Sequence, residues 1–171
     1  NLAQMVNAIA PIVTSHEAAA VQPIWYPVLL HSQAALDLAV DVHVNGPVVS
    51  PDLPAGASRW PFRVGDLGPF GLIDAAATVS GPDVNAHSGA VTMVNRSPSE
   101  EQAEVLLRDF TFAGPAQIRT VTAARPGDPR TLPDVETAQL EEGSEDPKDG
   151  MVAVRLPPRS FTVIEAAMTD R

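Results

Sequence analysis

Apolar side chains dominate the first twenty-seven residues, and this feature constrains the fold of the chain more than any other. Polypeptide termini usually lie in exposed, polar segments. A hydrophobic start therefore predicts that the chain is the C-terminal part of a larger protein. Five apolar residues recur at the spacing of one face of an α-helix: Leu2, Met5, Val6, Ile9 and Val13.

A strand and a second helix are predicted to follow this first helix. Residues 21–26 are mostly apolar and fit a short buried strand. Pro27 can then occupy the first turn of a helix that extends to about Leu38. Helix, strand and helix in succession are typical of an α/β unit, which we assign to residues 1–39.

From residue 40 onward the pattern becomes that of antiparallel strands. Residues 40–44 alternate between apolar and polar side chains, as a half-buried strand does. Seventeen prolines and eleven glycines suit many short strands joined by turns. Further strand candidates are residues 72–79, 89–94, 103–108, 117–122, 151–156 and 160–165. We therefore predict a mainly β protein, with an antiparallel β-sandwich over residues 40–171.

The bulk composition excludes several classes of partner and site. A net charge of −10 argues against nucleic acid and against an anionic membrane, since both require basic patches. The absence of cysteine excludes disulfides, thiolate metal sites and a cysteine nucleophile. The longest apolar run, residues 21–30, is too short for a membrane span. No phosphate-binding loop or zinc motif is present, so no cofactor is expected.

The titratable residues near the N-terminus form no recognisable metal or catalytic motif. His31, Asp41 and His43 could be imagined as a metal cluster, but their spacing is not that of zinc ligand sets. Glu17 and Asp37 are the acids of the α/β segment. No motif places either of them opposite a second carboxylate for acid–base work. We therefore predict neither a metal site nor a catalytic pair within this chain.

Residues 134–149 form a strongly acidic stretch. They hold seven acidic residues against the single Lys148. A calcium site is conceivable, but the spacing differs from that of an EF-hand loop. We interpret the stretch as a solvated loop.

Two N-terminal motifs resemble a known enzyme family. Residues 2–12 read Leu-Ala-Gln-Met-Val-Asn-Ala-Ile-Ala-Pro-Ile, and residues 22–27 read Gln-Pro-Ile-Trp-Tyr-Pro. Together they resemble the end of the barrel in α-L-arabinofuranosidases of glycoside hydrolase family 51. Supporting matches to that family's C-terminal sandwich follow in order: residues 39–44, 91–96 and 156–164. Asn95 and Arg96, which end the second of these, are expected to shape a structural turn.

The resemblance implies a (β/α)₈ barrel followed by a β-sandwich, with residues 1–39 as the terminal fragment of the catalytic barrel. A whole barrel needs about 250 residues, so the catalytic glutamates would lie upstream and this chain alone is expected to be inactive. The implied activity is retaining and exo-acting. It removes terminal α-L-arabinofuranosyl groups from arabinan, arabinoxylan or their oligosaccharides.

The same resemblance assigns one sugar-binding residue. Gln4 occupies the position of a glutamine that contacts arabinofuranose in the family, and an amide can both donate to and accept from a sugar hydroxyl. Asn7 is expected to hold local backbone, and Trp25 replaces a tyrosine common in the family. Implied partners are the upstream barrel segment, arabinofuranosyl saccharides and further copies in a homo-oligomer of the full enzyme. The sequence leaves the compartment open, and the resemblance leans toward the cytoplasm.

The alternative function is a non-catalytic module that binds carbohydrate or protein. Trp60, Phe62 and Phe70 lie in one Pro/Gly-rich stretch and could form a sugar-stacking surface, or could hold a long loop against the barrel. The apolar first helix and strand favour the enzymatic interpretation, because a free-standing module has no use for a buried half-barrel fragment. The sequence leaves open whether the chain is a truncated form or one piece of a cleaved enzyme.

Overall fold

The computed structural model describes residues 11–14, 16–17, 19–50, 68–81, 87–123 and 138–171. Within these residues the chain forms thirteen strands and one helix, α1 (Trp25–Ala34). The strands are β1 (Ile12–Thr14), β2 (Ala19–Val21), β3 (Leu38–Val40), β4 (Val48–Val49), β5 (Phe70–Gly71), β6 (Ile73–Val79), β7 (His87–Asn95), β8 (Glu101–Leu106), β9 (Phe110–Phe112), β10 (Ala116–Ala123), β11 (Ala138–Glu145), β12 (Met151–Leu156) and β13 (Phe161–Asp170).

Seven of these strands form one antiparallel sheet, which we call the central sheet. Its order is β11-β10-β13-β7-β6-β3, and β9 pairs with β13 beside this path. In the middle of the sheet, β13 pairs with β7 from Phe161↔Val94 to Met168↔His87. Its other neighbour is β10. The remaining strands form the two-stranded sheets β1-β2, β4-β5 and β8-β12.

The antiparallel ribbon of β8 and β12 covers one face of the central sheet. Val152, Val154 and Leu156 of β12 point inward and are buried, and they belong to one apolar cluster with Met93 and Ile164 of the sheet. Complete burial of an aliphatic side chain stabilises the fold by about 1.5–3 kcal/mol. This cluster is one of the two apolar cores of the described structure, and it lies between the ribbon and the central sheet.

Helix α1 covers the opposite face of the same sheet. Leu30 and Ala34 of the helix are buried against Ala90, Val121 and Val163 of the sheet. Consecutive residues of a strand point to opposite faces, so β13 buries one set of side chains under the helix and the other under the ribbon. The described part of the chain contains no helix with the length and apolar content that a membrane crossing requires.

Asn95 fastens the end of β7 to the end of β12. Its side chain is 1% exposed, and its amide nitrogen donates to the carbonyl oxygens of Ser99 (3.0 Å), Leu156 (3.0 Å) and Pro157 (2.8 Å). Its Oδ1 accepts a hydrogen bond from the backbone N–H of Ser97 at 2.8 Å. The structural turn expected at this position is confirmed.

The predicted fold class, a mainly β antiparallel sandwich, is confirmed. All six strand candidates from residue 72 onward overlap strands of the structure, and Met151–Leu156 has the predicted bounds. Strands β8 and β12 were predictable because exposed side chains alternate along them with buried or half-buried ones. Pro27 lies in the first turn of α1, as predicted, but the predicted extension of this helix to about Leu38 is wrong, because α1 ends at Ala34 and Leu38 belongs to β3.

The single strand predicted over residues 21–26 is wrong. The short strand β2 ends at Val21 and pairs antiparallel with β1, and α1 begins at Trp25. Pro23 lies between them and has no N–H to contribute to a ladder. Apolar content alone therefore overstated the length of this strand.

The half-buried strand predicted over residues 40–44 is wrong beyond Val40. Strand β3 pairs with β6 from Leu38↔Val79 to Val40↔Ala77, and residues 41–47 have no regular secondary structure. The apolar side chains that alternate along this segment are exposed. In the described part of the protein, neither the ribbon nor α1 covers them.

The solvated loop predicted over residues 134–149 is wrong for residues 138–145, which form the edge strand β11. All eight of its residues pair with β10, while nearly all its side chains remain exposed. A tight turn at Asp149 (φ 53°) and Gly150 (φ 79°) leads into β12. Two positive φ angles in succession are typical of a type I′ hairpin turn. Asp134 and Glu136 lie outside the described residues.

Replacing Asn95 by alanine is expected to lower the free energy of unfolding by about 2–4 kcal/mol, because buried carbonyl groups lose their donor and a cavity forms. Urea denaturation monitored by circular dichroism measures the effect. Asn45→Ala is the matched control, since Asn45 is exposed and its loss should change stability by less than about 0.5 kcal/mol. Equal stability of both variants would contradict the role assigned to Asn95.

Candidate functional site

The predicted sugar-binding residue, Gln4, lies outside the described residues. The same holds for Asn7, Trp60 and Phe62. Phe70 is described: it starts β5 opposite Val49 and is 42% exposed. The candidate site is therefore built from the elements that follow Gln4 along the chain.

The second N-terminal motif forms the junction between the β1–β2 hairpin and α1. The backbone N–H of Gln22 donates to the carbonyl oxygen of Pro11 at 2.6 Å, and that of Trp25 donates to the carbonyl oxygen of Gln22 at 2.9 Å. Trp25 is half-buried, and Tyr26 packs against the apolar cluster beneath α1. The motif turns the chain from the hairpin onto the central sheet.

Thr78 of β6 holds the C-terminal end of α1. Its hydroxyl donates to the carbonyl oxygen of Ala34 at 2.5 Å and accepts from the backbone N–H of Leu36 at 3.2 Å. The last carbonyl groups of a helix have no partner within the helix, so this side chain satisfies one of them. Directly after Leu36, the Asp37 carboxylate accepts a hydrogen bond from the backbone N–H of Gly81 at 2.7 Å.

Arg119 joins α1 to two strands of the central sheet. Its guanidinium donates to Oε1 of Gln33 at 2.7 Å and to Oε2 of Glu165 at 2.5 Å. The side chain of Arg119 is 21% exposed, so water screens these contacts only in part. We call this set of three residues the Arg119 bridge.

Two open cavities flank β10 and β11. One, of about 240 Å³, lies between β11 and β12 and is lined by Thr120, Glu141 and Arg155 among others. The second, of about 510 Å³, borders the Arg119 bridge and includes Glu142 and Ser144. Neither cavity is lined by an aromatic residue. Surfaces that bind sugar faces usually present aromatic rings, so neither cavity resembles such a surface.

The described structure does not assemble the candidate metal ligands. His31 on α1 is exposed, as are Asp41 and His43 beyond β3. Among the described residues, no three His, Asp or Glu side chains are arranged to hold a metal ion. Glu17 and Asp37 are also exposed.

The polar groups that fasten α1 could not be recognised in the sequence. Gln33, Thr78, Arg119 and Glu165 are far apart along the chain, and each is an ordinary residue for an amphipathic helix or strand. Only the sheet order and register bring them together. The local sequence carried no signal for this arrangement.

Comparison with known proteins identifies the family. Residues 1–160 match the family model for the α-L-arabinofuranosidase C-terminal domain. The chain therefore belongs to the α-L-arabinofuranosidase C-terminal domain family. No curated protein matches the sequence significantly.

Solved structures of family 51 enzymes share the fold. The family 51 α-L-arabinofuranosidase AbfB from Bifidobacterium longum has a TM-score of 0.75 at 21% identity, over 96% of this chain and 30% of its own. The α-L-arabinofuranosidase from Thermotoga maritima, in an arabinose complex, has a TM-score of 0.72 at 19% identity, over 98% of this chain and 33% of its own. The GH51 arabinofuranosidase from Xanthomonas axonopodis pv. citri has a TM-score of 0.72 at 16% identity, over 96% of this chain and 30% of its own. The chain thus spans about a third of the length of these enzymes.

Breaking the Arg119 bridge is expected to loosen α1 without unfolding the sandwich. Arg119→Met and Gln33→Leu each remove the hydrogen bond between Arg119 and the helix. At this partly exposed position such a bond stabilises by about 1 kcal/mol. Its loss should make hydrogen exchange of the α1 amides roughly fivefold faster. Mass spectrometry after deuterium labelling measures that exchange.

Arg155→Met is the matched control, because Arg155 contacts Glu100 (3.3 Å) and Glu141 (3.7 Å) and not α1. It should leave exchange in α1 unchanged. Identical α1 exchange in the Arg119→Met variant and the unmodified protein would show that the bridge does not hold the helix.

Proposed function

We propose that this chain is the C-terminal portion of a retaining, exo-acting α-L-arabinofuranosidase. Its substrates are terminal arabinofuranosyl groups on arabinan, arabinoxylan or their oligosaccharides. The family match over residues 1–160 is the observation that carries the proposal. The shared fold with the Thermotoga maritima enzyme, whose structure is an arabinose complex, supports it.

The catalytic carboxylates belong to an upstream barrel in this proposal. We assign residues 1–39 to the terminal part of that barrel and residues 40–171 to the sandwich, with α1 and β3 joining the two because both pack into the central sheet. Retaining glycosidases place two carboxyl groups about 5–5.5 Å apart, one as nucleophile and one as acid/base. This chain supplies neither group, and it acts by completing the barrel and binding the sugar.

Gln4 is the sugar-binding residue of the proposal. Its amide donates to one arabinofuranose hydroxyl and accepts from another. Gln4 precedes Pro11 by a few residues, and Pro11 is already held by Gln22 at the junction with α1. The Arg119 bridge and Thr78 fasten α1 to the sandwich. The sandwich therefore supports the chain from Pro11 onward, and small displacements of a substrate-positioning residue reduce catalysis strongly.

A non-catalytic carbohydrate-binding module is the alternative. The exposed ring of Phe70 favours it, since an exposed aromatic side chain can stack on a sugar. The cavities beside β10 and β11 offer no further ring. The burial of α1 against the sheet supports the enzymatic proposal instead, because it ties the sandwich to the polypeptide that precedes it.

Arabinose release from an aryl α-L-arabinofuranoside tests the proposal, using this chain alone and the longer enzyme that carries it. We expect activity only in the longer enzyme. Gln4→Ala should lower kcat/KM about thirtyfold, because both hydrogen bonds to the sugar are lost at about 1 kcal/mol each. Gln139→Ala, an exposed glutamine on the edge strand β11, is the matched control and should have no effect.

Each other outcome has a definite meaning. Activity of the 171-residue chain alone would show that the upstream carboxylates are not needed. Inactivity of both forms, with retention on an arabinan column, would favour the binding module. Full activity of the Gln4→Ala variant would remove Gln4 from the sugar site and leave the enzymatic proposal intact.

A further inference from the structure

The sequence contains a single Asn-Gly dipeptide, and it lies in the connection between β3 and β4. Asn45 and Gly46 are both exposed, and residues 41–47 have no regular secondary structure. Strand pairing ends at Val40↔Ala77 before this connection and resumes at Val48↔Gly71 after it. The dipeptide therefore lies in a stretch of backbone that no strand pairing holds.

The side-chain amide of Asn45 and the backbone N–H of Gly46 are both free to react. Within the described ranges, neither group forms a hydrogen bond. Gly46 has no Cβ to shield its nitrogen. Groups that adjoin each other react far faster than the same groups in separate molecules. Rotation about the backbone of Asn45 can therefore bring the Gly46 nitrogen against Cγ of the Asn45 side chain.

We propose that Asn45 is a site of spontaneous deamidation through a succinimide. The backbone nitrogen of Gly46 attacks Cγ of Asn45, a new N–C bond forms, and the proton of the attacking nitrogen passes to the departing amide, which leaves as ammonia. Water then opens the ring at either carbonyl group. One opening gives aspartate, and the other gives isoaspartate, in which the main chain runs through Cβ. The reaction needs only water and is independent of the arabinofuranosidase activity proposed above.

Asn95 shows how the fold protects an asparagine from the same reaction. Its side chain is 1% exposed, and its amide nitrogen donates to three carbonyl oxygens. The nitrogen that would attack it belongs to Arg96, whose backbone N–H donates to the carbonyl oxygen of Leu72 at 2.8 Å. Both reacting groups are thus engaged in hydrogen bonds. The structure therefore makes deamidation selective for Asn45 over Asn95.

Isoaspartate at this position lengthens a connection whose two ends are held. Pairing with β6 holds Val40 at one end. At the other end, the carbonyl oxygen of Pro47 accepts a hydrogen bond from the backbone N–H of Leu72 at 2.9 Å. The extra main-chain carbon lies between these two points, and either product adds a carboxylate next to the exposed Val44. The modification therefore disturbs the attachment of β4 and β5 to the central sheet.

Incubation of the longer enzyme that carries this chain, at mildly alkaline pH, tests the proposal. Alkaline pH accelerates the reaction because the attacking nitrogen must lose its proton. Peptide mapping by mass spectrometry detects the change from amide to acid, and a methyltransferase specific for isoaspartate identifies that product. We expect deamidation at Asn45 to be at least about tenfold faster than at Asn95, whose groups react only after local opening.

Gly46→Ala is the matched variant. A Cβ added at this position meets only Cγ1 of Val44, at 3.8 Å, which is an ordinary van der Waals distance. The circular dichroism spectrum should therefore remain the same. The added methyl group shields the attacking nitrogen, so deamidation at Asn45 should slow by about tenfold.

The outcomes separate the proposal from its alternatives. Deamidation at Asn45 in the longer enzyme, slowed by Gly46→Ala, supports it. Equal rates at Asn45 and Asn95 overturn it, as does a Gly46→Ala variant that reacts as fast as the unmodified protein. Deamidation of this chain alone, but not of the longer enzyme, also overturns it and shows that the preceding domain covers Asn45.

Discussion

Burial of both faces of β13 is the constraint on which the rest of the structure depends. Val163 requires a cover on one face and Ile164 on the other, so the sheet is stable only between two layers. The ribbon supplies the first layer, and α1, from the N-terminal part of the chain, supplies the second. The helix is therefore part of the sandwich core as well as a link to what precedes it. The segment that contains α1 therefore contributes to the stability of the sandwich, because the helix packs on the central sheet.

Most of the strands from residue 72 onward could be predicted from the sequence, and in the ribbon this was possible because burial on one side leaves a period-two pattern. Strand β12 had the predicted bounds since its inward residues are all aliphatic. Strand β11 could not be predicted, because its side chains are exposed and its stability comes from backbone pairing with β10. Gln4 was assigned by resemblance to a family. The Arg119 bridge depends on register between distant segments, for which a single sequence holds no signal.

The sheet order shows where part of the chain's negative charge lies. Glu141, Glu142 and Glu145 lie on an edge strand, where like charges discourage a neighbouring sheet and their own solvation is not impaired. Arg155 reaches Glu141 from the ribbon, and Arg119 neutralises Glu165 beside α1. The glutamates of β11 are thus exposed to water, while Arg119 and Arg155 form ion pairs between neighbouring elements of the fold.

The two ends of β12 are held by different interactions, a backbone turn at the start and the Asn95 side chain at the end. At its start, backbone hydrogen bonds between Lys148 and Met151 close the turn at Asp149 and Gly150. At its end, Asn95 donates to the carbonyl groups of Leu156 and Pro157. Strand β8 pairs with β12 along one side only. Local opening of the ribbon should therefore begin at β8 and reach β12 last. The apolar core would become exposed to water one strand at a time, which limits the surface that any partly open form presents for aggregation.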